Sequence, residues 1–421
     1  MHAPKKEPAM STPPRKQLVV IGNGMAGIRT VEELLKIAPD LYDITVFGAE
    51  PHPNYNRIML SPVLAGEQTV DDIVLNPVDW YAAHGITLHM GKPVTAVNRR
   101  QRIVTAADGT QAPYDRLLLA TGSQPFVLPV PGHDLQGVVT YRDIADTNAM
   151  IEAARTHRHA VVIGGGLLGL EAANGLALRG MAVTVVHLGD WLLERQLDRE
   201  SAGLLQAELG ARGLRFALSA HTAACLADAE GRVRAVQLKD GTEIPADLVV
   251  MAAGVRPDVR LATAIGLQCN RGVLVSDTLQ TLTDPRIYAV GECANHRGMA
   301  YGLVAPLYEQ AAVCANHLAD FGIGRYVGSQ VSTKLKVTGI DLFSAGDFMG
   351  ADGTEAIVLR DPVRGIYKKL VLKNGALVGA CLYGDIDDGS AYFELIRSGA
   401  SVAAQRDTLA FGPQAATALA A

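Results

Sequence analysis

Apolar runs suited to strands alternate with segments of helical spacing along the first part of the chain. Leu18–Gly22 is apolar and β-branched, as in a buried strand, and Met25–Ile37 repeats apolar residues at helical spacing until Pro39. Asp43–Phe47 then predicts a second strand, and Tyr114–Ala120 predicts a further one. A strand, helix and strand in this order form a β-α-β unit, which is typical of a parallel sheet.

The same order of elements recurs in the middle of the chain. Residues 160–163 predict a strand, Leu167–Arg179 a helix, Ala182–His187 a second strand and Asp247–Ala252 a third. Because strands and helices alternate in both regions, we expect an α/β fold with two doubly wound, Rossmann-like units.

A different pattern begins near Ser332, where short strand-like runs replace the β-α-β order. Lys373-Asn374-Gly375 joins two of these runs and predicts a hairpin turn, because Asn-Gly tolerates positive φ. Residues 391–397 predict a helix, and the Ala-rich end from Gly412 is expected to fray. The region predicts a small C-terminal α+β domain, with strands at Glu355–Arg360, Ile366–Leu372 and Ala376–Leu382.

Each β-α-β unit carries a glycine fingerprint between its first strand and its helix. One reads Gly22-Asn23-Gly24-Met25-Ala26-Gly27 and the other Gly164-Gly165-Gly166-Leu167-Leu168-Gly169. The first glycine permits a tight turn, the second lets the backbone approach a pyrophosphate, and the third lets the helix pack on the strand. The anion then lies at a helix N-terminus, where free N–H groups favour it. Two copies predict two dinucleotides, of which the simplest pair is a bound flavin and a visiting nicotinamide, so we expect electron transfer.

Composition and charge narrow the class of protein. A length of 421 residues fits roughly three domains, and a net charge of −5 argues against nucleic acid as the main partner. The five cysteines are scattered without C-x-x-C spacing, so we expect no redox disulfide and no metal site, and a cytoplasmic location. Residues 160–186 are the most apolar stretch, but Glu171, Asn174 and Arg179 make a membrane span a poor interpretation.

Three further motifs accompany the fingerprints. An apolar strand ends in Thr121-Gly122, the segment Ala253–Pro257 contains Gly254, and Thr283–Ala294 contains Gly291-Glu292. Together these motifs resemble the pyridine-nucleotide–disulfide oxidoreductase superfamily over about residues 17–325. The resemblance implies two glutathione-reductase-like domains, in which the first fingerprint holds FAD and the second holds NADH or NADPH as the electron donor.

The resemblance also assigns cofactor contacts to residues that match the family's motifs. Glu292 stands where the family has an Asp that helps bind the flavin ribityl chain, and Val304 lies at a helix start that faces the flavin pyrimidine. The remaining contacts implied at the two fingerprints and the three motifs are Gly22, Gly24, Met25, Ala26, Gly27, Thr121, Gly122, Gly164, Gly166, Leu167, Leu168, Gly169, Gly254 and Gly291.

The order of domains follows from the same resemblance, because in the family the nicotinamide domain is inserted in the FAD domain. We predict an FAD-binding domain in two parts, 17–142 and 271–328, and an NAD(P)H-binding domain at 143–270. Residues 329–421 form the C-terminal domain, which could serve as a homodimer interface, a partner dock or a lid. Residues 1–16, rich in Pro and Lys, are predicted to be disordered.

Polar residues at the ends of the second strands are candidates for ribose contacts. In the first unit the expected carboxylate position holds Ala49, so we assign the role to Glu50. In the second unit His187 takes the position of the acid. A neutral imidazole can bind a hydroxyl, whereas a protonated one favours a 2′-phosphate, so NADH and NADPH both stay open.

Glu171 is a candidate residue near the flavin and nicotinamide, as in ferredoxin and rubredoxin reductases. Those relatives pair this acid with a Lys where the present chain has Pro62, and Arg57 is the cation that could substitute. Peroxidase, oxidase and CoA-disulfide members carry a nucleophilic cysteine at the Pro62 position. Cys293 is interpreted as a small buried apolar residue, and no residue is named as an established catalytic group.

A narrower resemblance spans nearly the whole chain. Residues 44–57, 161–176, 288–294 and 333–339 are similar to the FAD/NAD(P)H module of assimilatory NAD(P)H nitrite reductase large subunits and of nitrate reductase electron-transfer subunits. Those nitrite reductases continue into cysteine-rich Fe–S and sirohaem regions, for which this chain has no matching cysteines. The chain therefore resembles the diaphorase half of a split system.

The resulting hypothesis is an FAD-dependent NAD(P)H oxidoreductase that passes electrons to a partner redox protein, the catalytic subunit of a nitrate or nitrite reductase. The alternatives are a rubredoxin or ferredoxin reductase, and a non-enzymatic redox sensor or scaffold that binds FAD and NAD(H). Arg99–Arg102 and Lys368-Lys369 with Lys373 are interpreted first as solvated strand edges. A docking patch for an acidic electron carrier is the sharper alternative.

Overall fold

The structure is a computed structural model that describes residues 15–337 and 339–413. Most of the predicted disordered segment 1–16, and the chain beyond residue 413, lie outside the described residues. The prediction for 1–16 is corrected at Lys16, which already belongs to the first strand and pairs with Tyr42.

The helices and strands have the following bounds. The α-helices are α1 Met25–Ile37, α2 Leu60–Ala65, α3 Val78–Ala83, α4 Ile144–Thr156, α5 Leu167–Leu178, α6 Arg199–Ala211, α7 Arg260–Ala264, α8 Val304–Leu318 and α9 Gly389–Ser398. The strands are β1 Lys16–Ile21, β2 Tyr42–Phe47, β3 Asn54–Tyr55, β4 Val74–Asn76, β5 Thr87–His89, β6 Val94–Asn98, β7 Ile103–Ala106, β8 Gln111–Pro113, β9 Arg116–Leu119, β10 Ser123–Pro125, β11 Val138–Thr140, β12 His159–Ile163, β13 Ala182–Val186, β14 Arg215–Ala217, β15 Thr222–Ala227, β16 Val233–Leu238, β17 Glu243–Pro245, β18 Leu248–Met251, β19 Val255–Pro257, β20 Val273–Val275, β21 Ile287–Ala289, β22 Ala294–His296, β23 Ser332–Val337, β24 Ile340–Gly346, β25 Glu355–Asp361, β26 Ile366–Lys373 and β27 Ala376–Tyr383.

The chain divides into two compact units, which we call the first and the second unit. The first unit comprises Met1–Tyr55, Val74–Ser123 and Pro257–Gly328, and the second comprises Asn56–Ile73, Gln124–Arg256 and Ser329–Ala421.

These limits differ from the predicted domain boundaries. Strand β11 lies before residue 143, yet it pairs in parallel with β18 of the second unit. The sequence analysis did not predict this strand because it is only three residues long and half-buried. The segment Asn56–Ile73 groups with the second unit, where Leu64 packs against Gly175 of α5 and Arg179 donates to the Val63 carbonyl oxygen at 3.1 Å.

The first unit is built on a five-stranded sheet in the order β21-β9-β1-β2-β5. Its neighbouring strands all run parallel, with Leu18 opposite both Ile44 and Arg116 in the register. Helices α1 and α8 pack against each other beside this sheet, and the buried core includes Leu18, Val20 and Leu118. The first unit also contains a separate antiparallel sheet of β6, β7 and β8, whose short strands the sequence analysis did not predict.

The second unit repeats this plan with the order β11-β18-β12-β13-β14, again with parallel neighbours throughout. The predicted α/β class with two doubly wound units is therefore confirmed. A three-stranded antiparallel sheet, β15-β16-β17, packs its apolar face into the same core, where Val236 and Val249 are fully buried.

The C-terminal region of the second unit is an antiparallel sheet in the order β23-β24-β27-β26-β25, with α9 beside it. The hairpin predicted at Asn374-Gly375 joins β26 to β27, and both turn residues have positive φ, at 52° and 77°. The prediction of a small α+β domain is thus confirmed.

One expectation for this domain is wrong. Strand β26 is an interior strand, so Lys368 and Lys369 do not lie on a solvated edge. The Lys368 side chain is 5% exposed and pairs with Asp385 at 2.8 Å and with Asp388 at 3.2 Å. Lys369 faces Asp198 at 3.4 Å.

Within the described residues, no helix is long and apolar enough to cross a membrane.

Candidate functional site

The first fingerprint forms a tight loop between β1 and α1. Gly22 has φ of 115°, and a Cβ there would overlap the Ala120 carbonyl oxygen. A Cβ at Gly27 would lie 2.6 Å from the Gly22 carbonyl oxygen, so α1 packs close to the strand only because residue 27 is glycine. The two outer glycines thus have the backbone roles that the sequence predicts.

The middle glycine faces open space instead. A Cβ built on Gly24 would meet no neighbouring described atom within 4 Å. The backbone there, with φ of −88° and ψ of −179°, would suit any residue, so neither space nor backbone conformation requires a glycine. Gly24 is also the N-cap of α1, and no described side chain caps this helix start. The free N–H groups at Met25 and Ala26 therefore border open space, where a pyrophosphate could bind.

Asparagine side chains hold this loop, which sequence analysis did not detect. Asn23 Oδ1 accepts from the Tyr81 hydroxyl at 2.7 Å, and Asn54 Nδ2 donates to the Asn23 carbonyl oxygen at 3.0 Å. Glu50 follows β2 in the same unit, and its carboxylate accepts from the Tyr55 hydroxyl at 2.7 Å. A Cβ at Gly48 would lie 3.0 Å from the Asn23 Cβ, so the Glu50 segment borders the fingerprint loop, as a ribose contact requires.

The Gly291-Glu292 motif meets the first fingerprint from the other side. Gly291 has φ of 84°, and a Cβ there would lie 2.8 Å from the Ala26 Cβ at the start of α1. The Glu292 carboxylate accepts from the Ser123 hydroxyl at 2.8 Å. Its other oxygen lies 3.9 Å from a Cβ built on Gly302, just before α8 begins at Val304. Glu292 therefore lies close to the starts of two helices.

Gln310 supplies an independent sign that a polar group belongs here. Its Oε1 accepts from the Gly291 N–H at 2.9 Å, and the residue is 1% exposed. Its Nε2 is buried and has no hydrogen-bond partner in the part of the chain that the structure describes. Because an unpaired buried donor is costly, this atom fits a site completed by an acceptor from a bound group such as the flavin.

Thr121 and Gly122 close the same region through the backbone. Thr121 Oγ1 donates to the Asp258 carbonyl oxygen at 2.8 Å, and the Asp258 N–H donates to the Gly122 carbonyl oxygen at 2.9 Å. Cys293 is fully buried, and burial raises the pKa of its thiol. This agrees with its interpretation as a small apolar residue rather than as a thiolate nucleophile.

The second fingerprint has nearly the same geometry. Gly164 has φ of 124°, and a Cβ there would overlap the Ala252 carbonyl oxygen. A Cβ at Gly169 would overlap the Gly164 carbonyl oxygen, whereas Gly166 faces open space among the described atoms. Gly166 is the N-cap of α5 with φ of −83° and ψ of −175°, and Leu167 and Leu168 begin that helix. Gly254, with φ of 111°, follows β18 and accepts from the Phe126 N–H at 2.8 Å.

Glu171 on α5 joins a chain of hydroxyl groups. Ser61 Oγ donates to the Glu171 carboxylate at 2.5 Å, and the Tyr141 hydroxyl donates to Ser61 Oγ at 3.1 Å. Burial raises the pKa of Glu171, and the Ser61 hydrogen bond lowers it only in part. The sequence analysis expected Arg57 to replace the lysine that pairs with this acid in relatives. The structure instead pairs Glu171 with Ser61, and Arg57 Nη1 donates to the Arg142 carbonyl oxygen at 2.9 Å.

His187 lies directly after β13, as predicted, but it is 7% exposed and both of its ring nitrogens have protein partners. Nδ1 lies 3.1 Å from the Gly165 N, and Nε2 lies 2.9 Å from a Glu194 carboxylate oxygen. A Cβ on Gly165 would lie 2.7 Å from the imidazole Cγ, so the ring packs beneath the fingerprint loop.

The arginine run 99–102 lies away from the first fingerprint. It forms the turn between β6 and β7, and Arg99 pairs with Asp284 at 3.4 Å, three residues before β21 begins. This is the amino-terminal edge of the parallel sheet, whereas the fingerprint follows the carboxyl end of β1. Because cofactors of such folds bind at the carboxyl edge, this position favours a structural role for the arginines.

Comparison with known proteins agrees with this geometry. Residues 16–317 match the pyridine nucleotide-disulphide oxidoreductase family, and residues 332–400 match the rubredoxin NAD+ reductase C-terminal domain. The chain is 51% identical over 389 residues to a nitrite reductase [NAD(P)H] of Bacillus subtilis, which covers 92% of this chain and 48% of that protein. It is 46% identical over 376 residues to the assimilatory nitrate reductase electron transfer subunit of the same organism, covering 89% and 48%.

Solved structures show the same architecture. A ferredoxin reductase from Rhodopseudomonas palustris superimposes with a TM-score of 0.86 at 25% identity, over 96% of this chain and 100% of that one. The complex of putidaredoxin reductase with putidaredoxin gives a TM-score of 0.82 at 27% identity, over 91% and 93%.

The chain belongs to the pyridine nucleotide-disulphide oxidoreductase family. Both glycine loops have the geometry of dinucleotide-binding loops, which agrees with the class of oxidoreductase that this family describes. The chain spans about half the length of the curated relatives that it matches, 48% in both cases given above.

Proposed function

We propose that the protein takes electrons from NAD(P)H, passes them through FAD, and delivers them to the redox centre of an assimilatory nitrate or nitrite reductase. The observation that carries this proposal is the pair of matching glycine loops, each with an open middle glycine at an uncapped helix start within the described residues. The similarity to a nitrate reductase electron transfer subunit supports the choice of acceptor.

We assign the first unit to FAD and the second to NAD(P)H. Hydride acceptance from the nicotinamide and release of single electrons are the chemistry that a bound flavin would supply. The chain's own residues would bind and orient the two cofactors. The N–H groups after Gly24 and Gly166 would hold the two pyrophosphates. Glu50 would accept a hydrogen bond from the adenosine ribose of FAD, and Glu292 would accept one from the ribityl chain.

The start of α8 at Val304 adds an electrostatic contribution. No described side chain caps this helix start, so its N–H groups and dipole favour negative charge at the reduced flavin ring. The cysteines in the described part of the chain are free thiols at separate positions. We therefore propose that the electrons pass to a separate protein and not to a disulfide of this chain, and that the protein is cytoplasmic.

A rubredoxin or ferredoxin reductase is the second candidate function. The observation that favours it is the match of residues 332–400 to the rubredoxin NAD+ reductase C-terminal domain, together with the ferredoxin reductase fold neighbour. The two candidates share the donor side and differ only in the acceptor.

The test measures NADH-driven nitrate reduction by the purified molybdenum nitrate reductase of the same organism, with and without this protein. We expect a large stimulation that saturates with increasing protein. Parallel reactions replace the nitrate reductase with nitrite reductase, rubredoxin or ferredoxin. Rapid ferricyanide reduction without stimulation of the nitrogen-cycle enzymes would move the acceptor to rubredoxin or ferredoxin, and NADH binding without any reduction would favour a redox sensor.

A further inference from the structure

We propose that Glu194, positioned by His187, is the group of the second unit that selects NADH over NADPH. The inference rests on the proposed binding of NAD(P)H at the second fingerprint, and it extends that proposal to the choice of substrate. Sequence alone places His187 at the ribose position, but the structure points to a carboxylate seven residues further along the chain.

The position of His187 relates this pair to the nucleotide. Strand β13 lies parallel to β12, with Ile163 opposite Val186, so His187 and the fingerprint loop leave the sheet side by side. In β-α-β units of this kind, the end of the second strand faces the adenosine ribose. A polar group presented here therefore meets the ribose 2′-position.

Hydrogen bonding distinguishes the two nitrogens of the His187 ring. The Gly165 N–H donates to Nδ1 at 3.1 Å, so Nδ1 must be the acceptor and carry no proton. The ring proton is then on Nε2, which donates to the Glu194 carboxylate at 2.9 Å.

This arrangement uses both nitrogens of His187 within the protein. Because it is buried and both of its nitrogens have protein partners, the imidazole is unsuited to contact the ribose 2′-position directly. Glu194 is different, because its side chain is 44% exposed while one oxygen is held by the ring. A carboxylate accepts hydrogen bonds from a ribose hydroxyl and repels a phosphate at the same position.

Gly189 makes room for the pair. A Cβ on Gly189 would lie 2.9 Å from His187 Nε2 and 3.6 Å from the Glu194 carboxylate carbon, so a larger residue would disturb the contact. The other carboxylate of this loop, Asp190, is held elsewhere by the Ser219 hydroxyl at 2.7 Å and by Arg199 at 3.2 Å. The Arg199 guanidinium also stacks on Trp191, at 4.8 Å from the ring centroid.

The test compares ADP-ribose with 2′-phospho-ADP-ribose by calorimetry on the FAD-loaded protein, because neither ligand reduces the flavin. We expect the wild type to prefer ADP-ribose by about tenfold or more, and Glu194→Gln to reduce that preference by about tenfold, mainly through tighter binding of the phosphorylated ligand. The matched control, Asp190→Asn, removes the same charge from the same loop and should leave the ratio within about twofold. Retained binding of ADP-ribose confirms that the second unit of each variant folds.

An unchanged ratio in Glu194→Gln would overturn the inference, as would an equal change in Asp190→Asn. A wild-type preference for the phosphorylated ligand that is lost in Arg195→Gln would also overturn it, since it would assign selection to the neighbouring exposed arginine. If the wild type binds neither ligand, the proposed nucleotide site itself fails, which is a separate result from failure of Glu194.

Discussion

The two glycine loops share their backbone and differ in the polar groups that border them. Gly22 and Gly164 have φ of 115° and 124°, and the N-cap glycines agree within a few degrees. In contrast, the first loop is bordered by Glu50 held by a tyrosine, and the second by Glu194 held by a histidine. The steric limits of the turn require the glycines in both units, whereas each strand end supplies its own polar group. We therefore propose that both loops bind a pyrophosphate and that they differ in the nucleotide they select.

The largest expected effect comes from placing a carboxylate in each open loop. Gly24→Asp should prevent FAD binding, and Gly166→Asp should leave FAD bound while weakening NADH at least about 100-fold, because like charges then meet at the pyrophosphate. Both positions have extended backbone and open space, so the protein should still fold. Flavin absorbance of the purified protein and NADH titration measure the two effects.

Gly24→Ala and Gly166→Ala are the matched controls, since they fill the same space without charge. We expect them to retain both ligands with smaller losses. If Gly166→Asp lost FAD while Gly24→Asp lost only NADH, the assignment of the two loops would be reversed.

These glycines could be predicted from the sequence because they fall in a recurring local pattern, in which closely spaced glycines join an apolar strand to a helix. The strands β1 and β13, helix α1 and the Asn374-Gly375 turn were predicted for the same reason. The contacts of Ser61 with Glu171, and of Ser123 with Glu292, join residues more than a hundred positions apart, so no local pattern reveals them. Lys368 was assigned to a solvated edge because the sequence does not show which strands flank β26.

The second unit also differs in carrying the C-terminal sheet, and Asp198 joins that sheet to the nucleotide-binding part. Its carboxylate caps α6 through the Ser201 N–H at 3.0 Å and accepts from the Tyr367 hydroxyl at 2.7 Å. Burial alone would raise the pKa of Asp198, but the hydrogen bonds from Tyr367 and Ser201 and the charge of Lys369 lower it overall.

We expect Asp198→Ala to lower the free energy of unfolding of the second unit by about 3 kcal/mol, because it leaves Lys369 without its carboxylate and the start of α6 without its side-chain cap. Tyr367→Phe should cost about 1 kcal/mol. The Asp198 contribution should be present above pH 3.8, its ordinary pKa, and decline as the pH falls through its lowered folded value. Chemical denaturation measures both variants, and a wild-type midpoint for Asp198→Ala would contradict this account.

A smaller effect concerns Glu171, which has no counterpart in the first loop. Because its folded pKa is raised, the ionised carboxylate opposes folding above its ordinary value of 4.5. The free energy of unfolding of Glu171→Gln should therefore rise by roughly 1 kcal/mol relative to that of the wild type as the pH increases from below 4.5 through the raised folded pKa. Above that pKa the difference should stay constant. Denaturation at several pH values tests this, with the exposed Glu67→Gln as the control, and a gain independent of pH would contradict it.

The most direct test of electron flow from the second loop to the first is anaerobic mixing of the FAD-loaded protein with NADH, or with NADPH, while the visible flavin absorbance is followed. We expect one equivalent of reduced nucleotide to bleach the wild-type flavin rapidly, and we expect Gly166→Asp to keep its FAD without being bleached at the same concentration. A wild-type protein that binds reduced nucleotide without bleaching, or a Gly166→Asp variant that bleaches at the wild-type rate, would contradict it.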